Sequence, residues 1–340
     1  MRCSIVVINY NYARFLREAI DSALAQTHGD VEVVVVDDGS TDHSREIIVG
    51  YGDLVVPVFK KNGGILSATN AGFSASSGDI VVFLDADDWL DPRLVETLVR
   101  AFRAGVSYVC WRLRMTSAEN ETIGAFPEIG DGPDEGSDAW KWVLDRGAVQ
   151  CPPTSANAYA RWALKSIFPL PEGESILWAD VHLFHAAPFL GSVRYLRESL
   201  SNYRIHGNNA WYQGLPASRK TRRKKETEAD FRKSLLRSHE KFELLEKGRA
   251  LKNGKWGKEA MARRYHKHLR RIIFLRCFPE AYPFGLDSVR SLRAETRSFL
   301  RGSDYSKDRR FVERMKLLVI LWMPTPIIRR RFFETRLPSA

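Results

Sequence analysis

Val36-Asp37-Asp38-Gly39-Ser40-Thr41-Asp42 and Phe83-Leu84-Asp85-Ala86-Asp87-Asp88 each close a short apolar, β-branched run, and that repeated placement decides how the chain reads. Such a run ending in Asp, Gly or Ser is a buried strand feeding a loop, and in open α/β sheets ligands sit beyond the carboxyl ends of the strands. Carboxylates from separate strands then crowd one sheet edge. Like charges so placed repel unless a cation or backbone N–H groups hold them, so the pattern predicts a divalent metal and a nucleotide. Ordinary turn and N-cap chemistry explains either segment alone more easily than both together.

Outward from these turns the chain alternates strand-like with helix-like segments. Ile5–Ile8 precedes Arg14–Ala25, Val31–Val36 precedes Ser44–Tyr51, Leu54–Phe59 precedes Leu66–Ser76, and Ile80–Leu84 precedes Pro92–Ala104. This is a parallel sheet wound with helices. Asp91-Pro92 suits a helix start, and Val106–Met115 reads as a further strand. From Thr116 to Glu174 the Gly, Pro and acidic content rises around a short helix near Asp138–Asp145, as expected of surface loops that shape a pocket. A helical stretch to Leu190 and a strand at Val193–Leu196 follow.

The 340 residues, 44% of them apolar, suffice for a large domain with an appendage. The net charge of +11 is unevenly distributed. Residues 1–212 carry 18 Lys and Arg against 27 Asp and Glu, while residues 213–340 carry 34 against 14. Two regions are therefore expected, 1–212 and a basic, mainly helical 213–340. The four cysteines are scattered without zinc or disulfide spacing, and the first apolar run is too short for a signal peptide, which together predict a cytoplasmic chain. Leu317–Met323, cut by Pro324 and Pro326 and followed by Arg329-Arg330-Arg331, is too short to span a bilayer. It reads either as an interfacial segment on an anionic membrane surface or as a helix packed on its own protein.

Over the first 210 residues the chain resembles the family 2 glycosyltransferases of GT-A fold. The landmarks are Val7-Ile8-Asn9-Tyr10-Asn11, the two acidic turns, Asn62-Gly63-Gly64 with Asn70-Ala71-Gly72, Trp178-Ala179-Asp180, and Tyr203-Arg204-Ile205-His206. The resemblance implies an inverting transferase dependent on a nucleotide-sugar. It implies that Asn9, Tyr10 and Asn62 line the donor cleft and that Asp37 or Asp38 accepts a hydrogen bond from the base. Asp85 would touch the ribose or support the metal, Asp87 and His206 would hold Mg²⁺ or Mn²⁺, and Asp180 would deprotonate the acceptor hydroxyl. Trp178 is the residue expected to meet the acceptor, and His182 and His185 are expected to be structural.

Two departures stand out. Ala179 replaces the Glu that usually precedes the base, and Ala68-Thr69-Asn70 lacks the Arg that many relatives carry before the Asn. Lys60 and Lys61 are candidates to compensate, although a Lys pair leaving an edge strand is commonly a solubility feature. The expected donor is a uridine-based nucleotide-sugar. The expected acceptor is a glycan or lipid-linked chain of the cell surface, met at the inner face of the cytoplasmic membrane. No nucleic-acid partner is expected, because the aromatics of the basic region form no base-stacking motif. Ala179 motivates the alternative, a non-catalytic nucleotide-sugar or glycan binding module. A nucleotidyltransferase fits less well, since Asn9-Tyr10-Asn11-Tyr12 is not a Gly-rich phosphate loop.

Overall fold

The computed structural model describes residues 1–126, 138–146, 152–173, 177–207, 209, 227–255, 257–280, 282–284, 288–302 and 307–332. The acidic loop Ile129–Gly136, Glu174, Cys151, Asn208 and the Arg219–Lys225 run lie outside them. Elements follow in the order β1 Cys3–Asn9, α1 Ala13–Leu24, β2 Val31–Asp37, α2 Ser44–Val49, β3 Val56–Phe59, α3 Gly64–Ala75, β4 Ile80–Asp85, β5 Trp89–Leu90 and α4 Leu94–Ala101. Next come β6 Val106–Thr116, β7 Thr122–Phe126, α5 Ala139–Arg146, β8 Asn157–Ala160, α6 Arg161–Leu164, α7 Ala179–Ala186 and β9 Ser192–Arg204. The chain then turns helical, with α8 Glu228–Leu251, α9 Lys258–Cys277, α10 Val289–Gly302, α11 Lys307–Trp322 and α12 Thr325–Phe332.

The strands form one sheet in the order β3-β2-β1-β4-β8-β6-β9-β5, with β7 paired to β6. The first four strands are parallel, as the alternation predicts. All seven residues of β1 are buried, as are five of the six in β4, because helices cover both faces. Gly72 of α3 lets helix and sheet approach closely: a Cβ there would lie 2.3 Å from Val6 Cγ1.

Beyond β4 the pairing turns mixed, with β8, β7 and β5 antiparallel to their neighbours and β9 parallel to β6, and here the sequence signal fails. β8 pairs antiparallel with both β4 and β6, yet Asn-Ala-Tyr-Ala carries little strand propensity and lies in what reads as loop. β9 runs eight residues past Leu196 to Arg204. Its partnership with β6 jumps from Leu196 to Ser199 between Trp111 and Arg112, so Arg197 and Glu198 form a bulge whose polarity resembles the end of a strand. α4 begins at Leu94 rather than at Pro92, with the Asp91 carboxylate accepting from Arg93 N–H at 3.0 Å.

The chain divides into two compact units, one of residues 1–142 with 149–215 and the other of 143–148 with 216–340. The second has its own core, in which Phe231, Leu235, Ile273, Phe274 and Ile328 form one cluster and Leu269, Ile272, Leu292, Leu300 and Leu317 another. Among the described residues no helix is long and apolar enough to cross a membrane.

Candidate active site

Asn9 and Asp37 are register partners at the carboxyl ends of β1 and β2. The buried Asn9 amide donates to Asp37 Oδ1 at 2.9 Å and to Ser40 Oγ at 3.1 Å, while Ser40 N–H donates to Asp37 Oδ2 at 3.2 Å. Asn9 and Asp37 thus tie the two strand ends together beneath the cleft. Asn11 holds a left-handed φ of 59° and accepts from Thr41 N–H at 2.7 Å, which fixes the β1–α1 turn against the β2 loop.

Asp38, next along, is bound differently. Its Oδ1 accepts from Lys60 Nζ at 2.5 Å and Gly63 N–H at 3.0 Å, and its Oδ2 accepts from Gly64 N–H at 2.8 Å, so it caps the start of α3. Gly39 makes this approach attainable, since its φ is +77° and a Cβ would sit 2.6 Å from Asn62 N. Lys60 leaves the edge strand β3, yet its amine folds inward onto Asp38 instead of reaching solvent. Asn62 and Tyr10 are exposed beside these loops.

The second acidic turn leaves β4, the strand beside β1 on the side away from β2. Burial, then the charges of Asp87 and Asp180, push the Asp85 carboxyl up to about 8, against a hydrogen bond from Thr154 that lowers it. Asp88 is driven well above the usual carboxylate range by burial and by Asp87 and Asp85. Tyr12 faces the same charges: burial first, and then Asp87, Asp85 and Asp88, raise its phenol to about 12. Asp87 Oδ2 lies 2.9 Å from His206 Nε2, and the imidazole is held between Tyr12 and Phe15 at ring distances of 5.6 and 5.1 Å.

Arg204, at the end of β9, locks this turn. Its N–H donates to Asp88 Oδ1 at 3.0 Å, its Nε to the Asp87 carbonyl at 3.0 Å, and its Nη2 to Glu18 at 2.5 Å. The buried guanidinium lies over Phe15 and Trp89, at 4.7 and 4.5 Å from the ring centres. Asn209 accepts from His206 N–H at 2.8 Å and donates to the Arg204 carbonyl at 2.6 Å, closing the loop that carries the imidazole.

Asp180 sits in the first turn of α7, a half-buried residue on a helix whose other side is core. It lines a small cavity with Ala179, Leu183, Thr154, Ile8 and Phe83, and its charge reaches Asp85. Ala179, one residue before Asp180, is buried and apolar. Trp178 is exposed one residue before it, while His182 and His185 are buried on the far side, with His185 Nδ1 2.8 Å from the Val181 carbonyl.

Asp85, Asp87, Asp88, His206 and Asp180 therefore share one neighbourhood. Asn9, Asp37 and Asp38 stand one and two strands away along the same edge. Sequence reasoning misses Tyr12, Thr154 and Ser155, quotes Arg204 only within the motif of His206, and weighs Lys60 as a compensating charge against a solubility feature. Among the described residues no cluster of three or more His, Cys, Asp or Glu side chains forms a metal cage. A divalent ion that keeps waters and takes phosphate oxygens needs only one or two protein ligands, which Asp87 and His206 can supply. Burial first, and then the repulsion of neighbouring carboxylates, raises Asp85 and Asp88, and a bound cation would relieve that repulsion.

A parallel half-sheet joined to a mixed half, with an acidic edge at its switch point, is the GT-A class of fold. The model of glycosyl transferase family 2 matches residues 4–142. An uncharacterized glycosyltransferase of Nostoc sp. is 41% identical over 215 residues, which cover 62% of this chain and 66% of the relative. Chondroitin synthase of Pasteurella multocida is 40% identical over 110 residues, 32% of this chain and 11% of that protein. The chain thus spans just under two thirds of the Nostoc relative and a small part of the synthase. The crystal structure of S. aureus TarS 1-349 in complex with UDP-GlcNAc has the same fold, with a TM-score of 0.55 at 16% identity over 90% of this chain and 93% of that one.

Proposed function

We propose that this chain transfers a sugar, with inversion, from a uridine-based nucleoside-diphosphate donor to a glycan or lipid-linked acceptor. The observation that carries the reading is the gathering of Asp85, Asp87, His206 and Asp180 around one point of the sheet edge. TarS with its bound UDP-GlcNAc supports the donor class, and chondroitin synthase supports a polysaccharide acceptor.

In this reading the Asp38 loop receives the base and the Asp85–Asp88 turn receives the ribose and diphosphate. A divalent cation held by Asp87 and His206 would supply the positive charge that the departing diphosphate needs. Asp180 takes the proton from the acceptor hydroxyl on the opposite face of the sugar. Thr154 and Ser155 hold Asp85 and Asp88 in place from β8's leading turn.

Release of nucleoside diphosphate from a panel of nucleotide-sugars, with Mn²⁺ and oligosaccharide acceptors, tests this. Asp180→Asn is expected to keep donor binding and lose turnover by about 10² to 10⁴-fold, the usual contribution of a general base. Donor binding without turnover in the native chain, unaffected by Asp180→Asn, would favour the non-catalytic binding module, and turnover unchanged in Asp180→Asn would overturn Asp180 as the base.

A further inference from the structure

Helix α11 is apolar on two opposite sides. One side is packed: Leu317 is buried, and Ile320 and Leu321 join it against the clusters of the second unit. The other side is bare. Phe311 is 65% exposed and Trp322 81% exposed, with Val312, Met315 and Val319 exposed between them. At 100° per residue these five fall within an arc of about 100°, and they run about 16 Å along the axis. A single exposed apolar residue is ordinary. A continuous stripe ending in a Trp this open marks a contact surface.

The surroundings of the stripe say what would cover it. Residues 307–332 carry eight Lys and Arg against only Asp308 and Glu313, and the whole of 213–340 carries 34 against 14. Arg314 and Lys316 are exposed on α11 itself, and Arg329-Arg330-Arg331 follows three residues after Pro326. An apolar stripe flanked by cations, with Trp at its edge, suits a layer of anionic headgroups over acyl chains, where each part of the surface finds its complement. A spanning role is ruled out by length, since no described helix can cross a bilayer.

We infer that the exposed face of α11 lies on an anionic membrane surface, with Phe311, Met315, Val319 and Trp322 entering the headgroup layer. This would bring the chain to lipid-borne substrates by partition. Vesicle binding is read with no donor or acceptor present, so it stands or falls apart from the transferase reading.

The test is co-sedimentation of the full chain with vesicles of phosphatidylcholine alone and of phosphatidylcholine with phosphatidylglycerol. Binding is expected only to the latter, weakening with added salt. A Phe311→Ser, Val319→Ser, Trp322→Ser variant should bind at least about tenfold more weakly, because each side chain lost takes apolar burial with it. Its thermal melt should match the native chain, since all three positions are exposed. Quenching by brominated lipid should also fall in Trp322→Phe relative to the native protein. No binding to the anionic vesicles, or equal binding by the triple variant, would overturn the inference. So would native self-association abolished by the triple variant, which would make a second copy the occupant.

Discussion

At the scale of single residues, the acidic edge owes its properties to crowding. Asp85 titrates near 8 in the folded chain because of burial and the charges of Asp87 and Asp180. An unfolded Asp titrates near about 4. The folded state therefore holds this proton more tightly, and the stability it contributes is complete below about pH 4 and lost as pH rises through about 8. The melting temperature of the cation-free protein is expected to fall between about pH 5 and pH 9, and Asp85→Asn should flatten that fall. Mn²⁺ with a nucleoside diphosphate should restore stability at the alkaline end. A melting temperature that rises across this window, indifferent to Asp85→Asn, would contradict the account.

The same residues show what sequence makes legible. Asp38 and Asp87 stand out because acidic residues repeated at strand ends have few uses besides capping and ligand binding, whereas Asp180 stands out only through the family resemblance of Trp178-Ala179-Asp180. Lys60 does not stand out. A lysine leaving an edge strand satisfies the solubility rule, and only the Gly39 turn, which brings Asp38 within 2.5 Å of its amine, reveals the inward pose. Tyr12 is equally silent, since its proximity to three carboxylates depends on how β1 and β4 lie side by side.

At the scale of elements, β9 is the decisive piece. Its bulge at Arg197 and Glu198 lets a polar segment continue as a strand along β6, and this delivers Arg204 and His206 to the β4 turn. Helix periodicity and β-branched runs made the parallel half readable. The mixed half is held by pairing with strands distant in sequence, which local pattern does not record. Arg204→Ala removes a guanidinium that bonds the Asp87 carbonyl and Glu18 and lies over two aromatic rings. Urea unfolding is expected to show a loss of about 2 to 4 kcal/mol. Arg204→Lys should recover only part of it, because an ammonium does not reproduce the planar fork. Native stability in Arg204→Ala would show that the turn is fixed by other contacts.

At the scale of the whole molecule, charge and fold divide together. The unit that carries the acidic edge draws on a sequence with excess Asp and Glu, whereas the helical unit draws on one with excess Lys and Arg. Composition makes that asymmetry visible, but which face of α11 packs and which stays bare needed the helices in place. The central claim, that Asp87 and its neighbours grip a nucleoside diphosphate through a shared cation while Asp180 serves chemistry alone, is tested most directly by calorimetric titration of UDP. The account predicts binding that requires Mn²⁺ or Mg²⁺, is lost in Asp87→Ala and survives in Asp180→Asn. UDP binding of equal strength without the cation and in Asp87→Ala would contradict it.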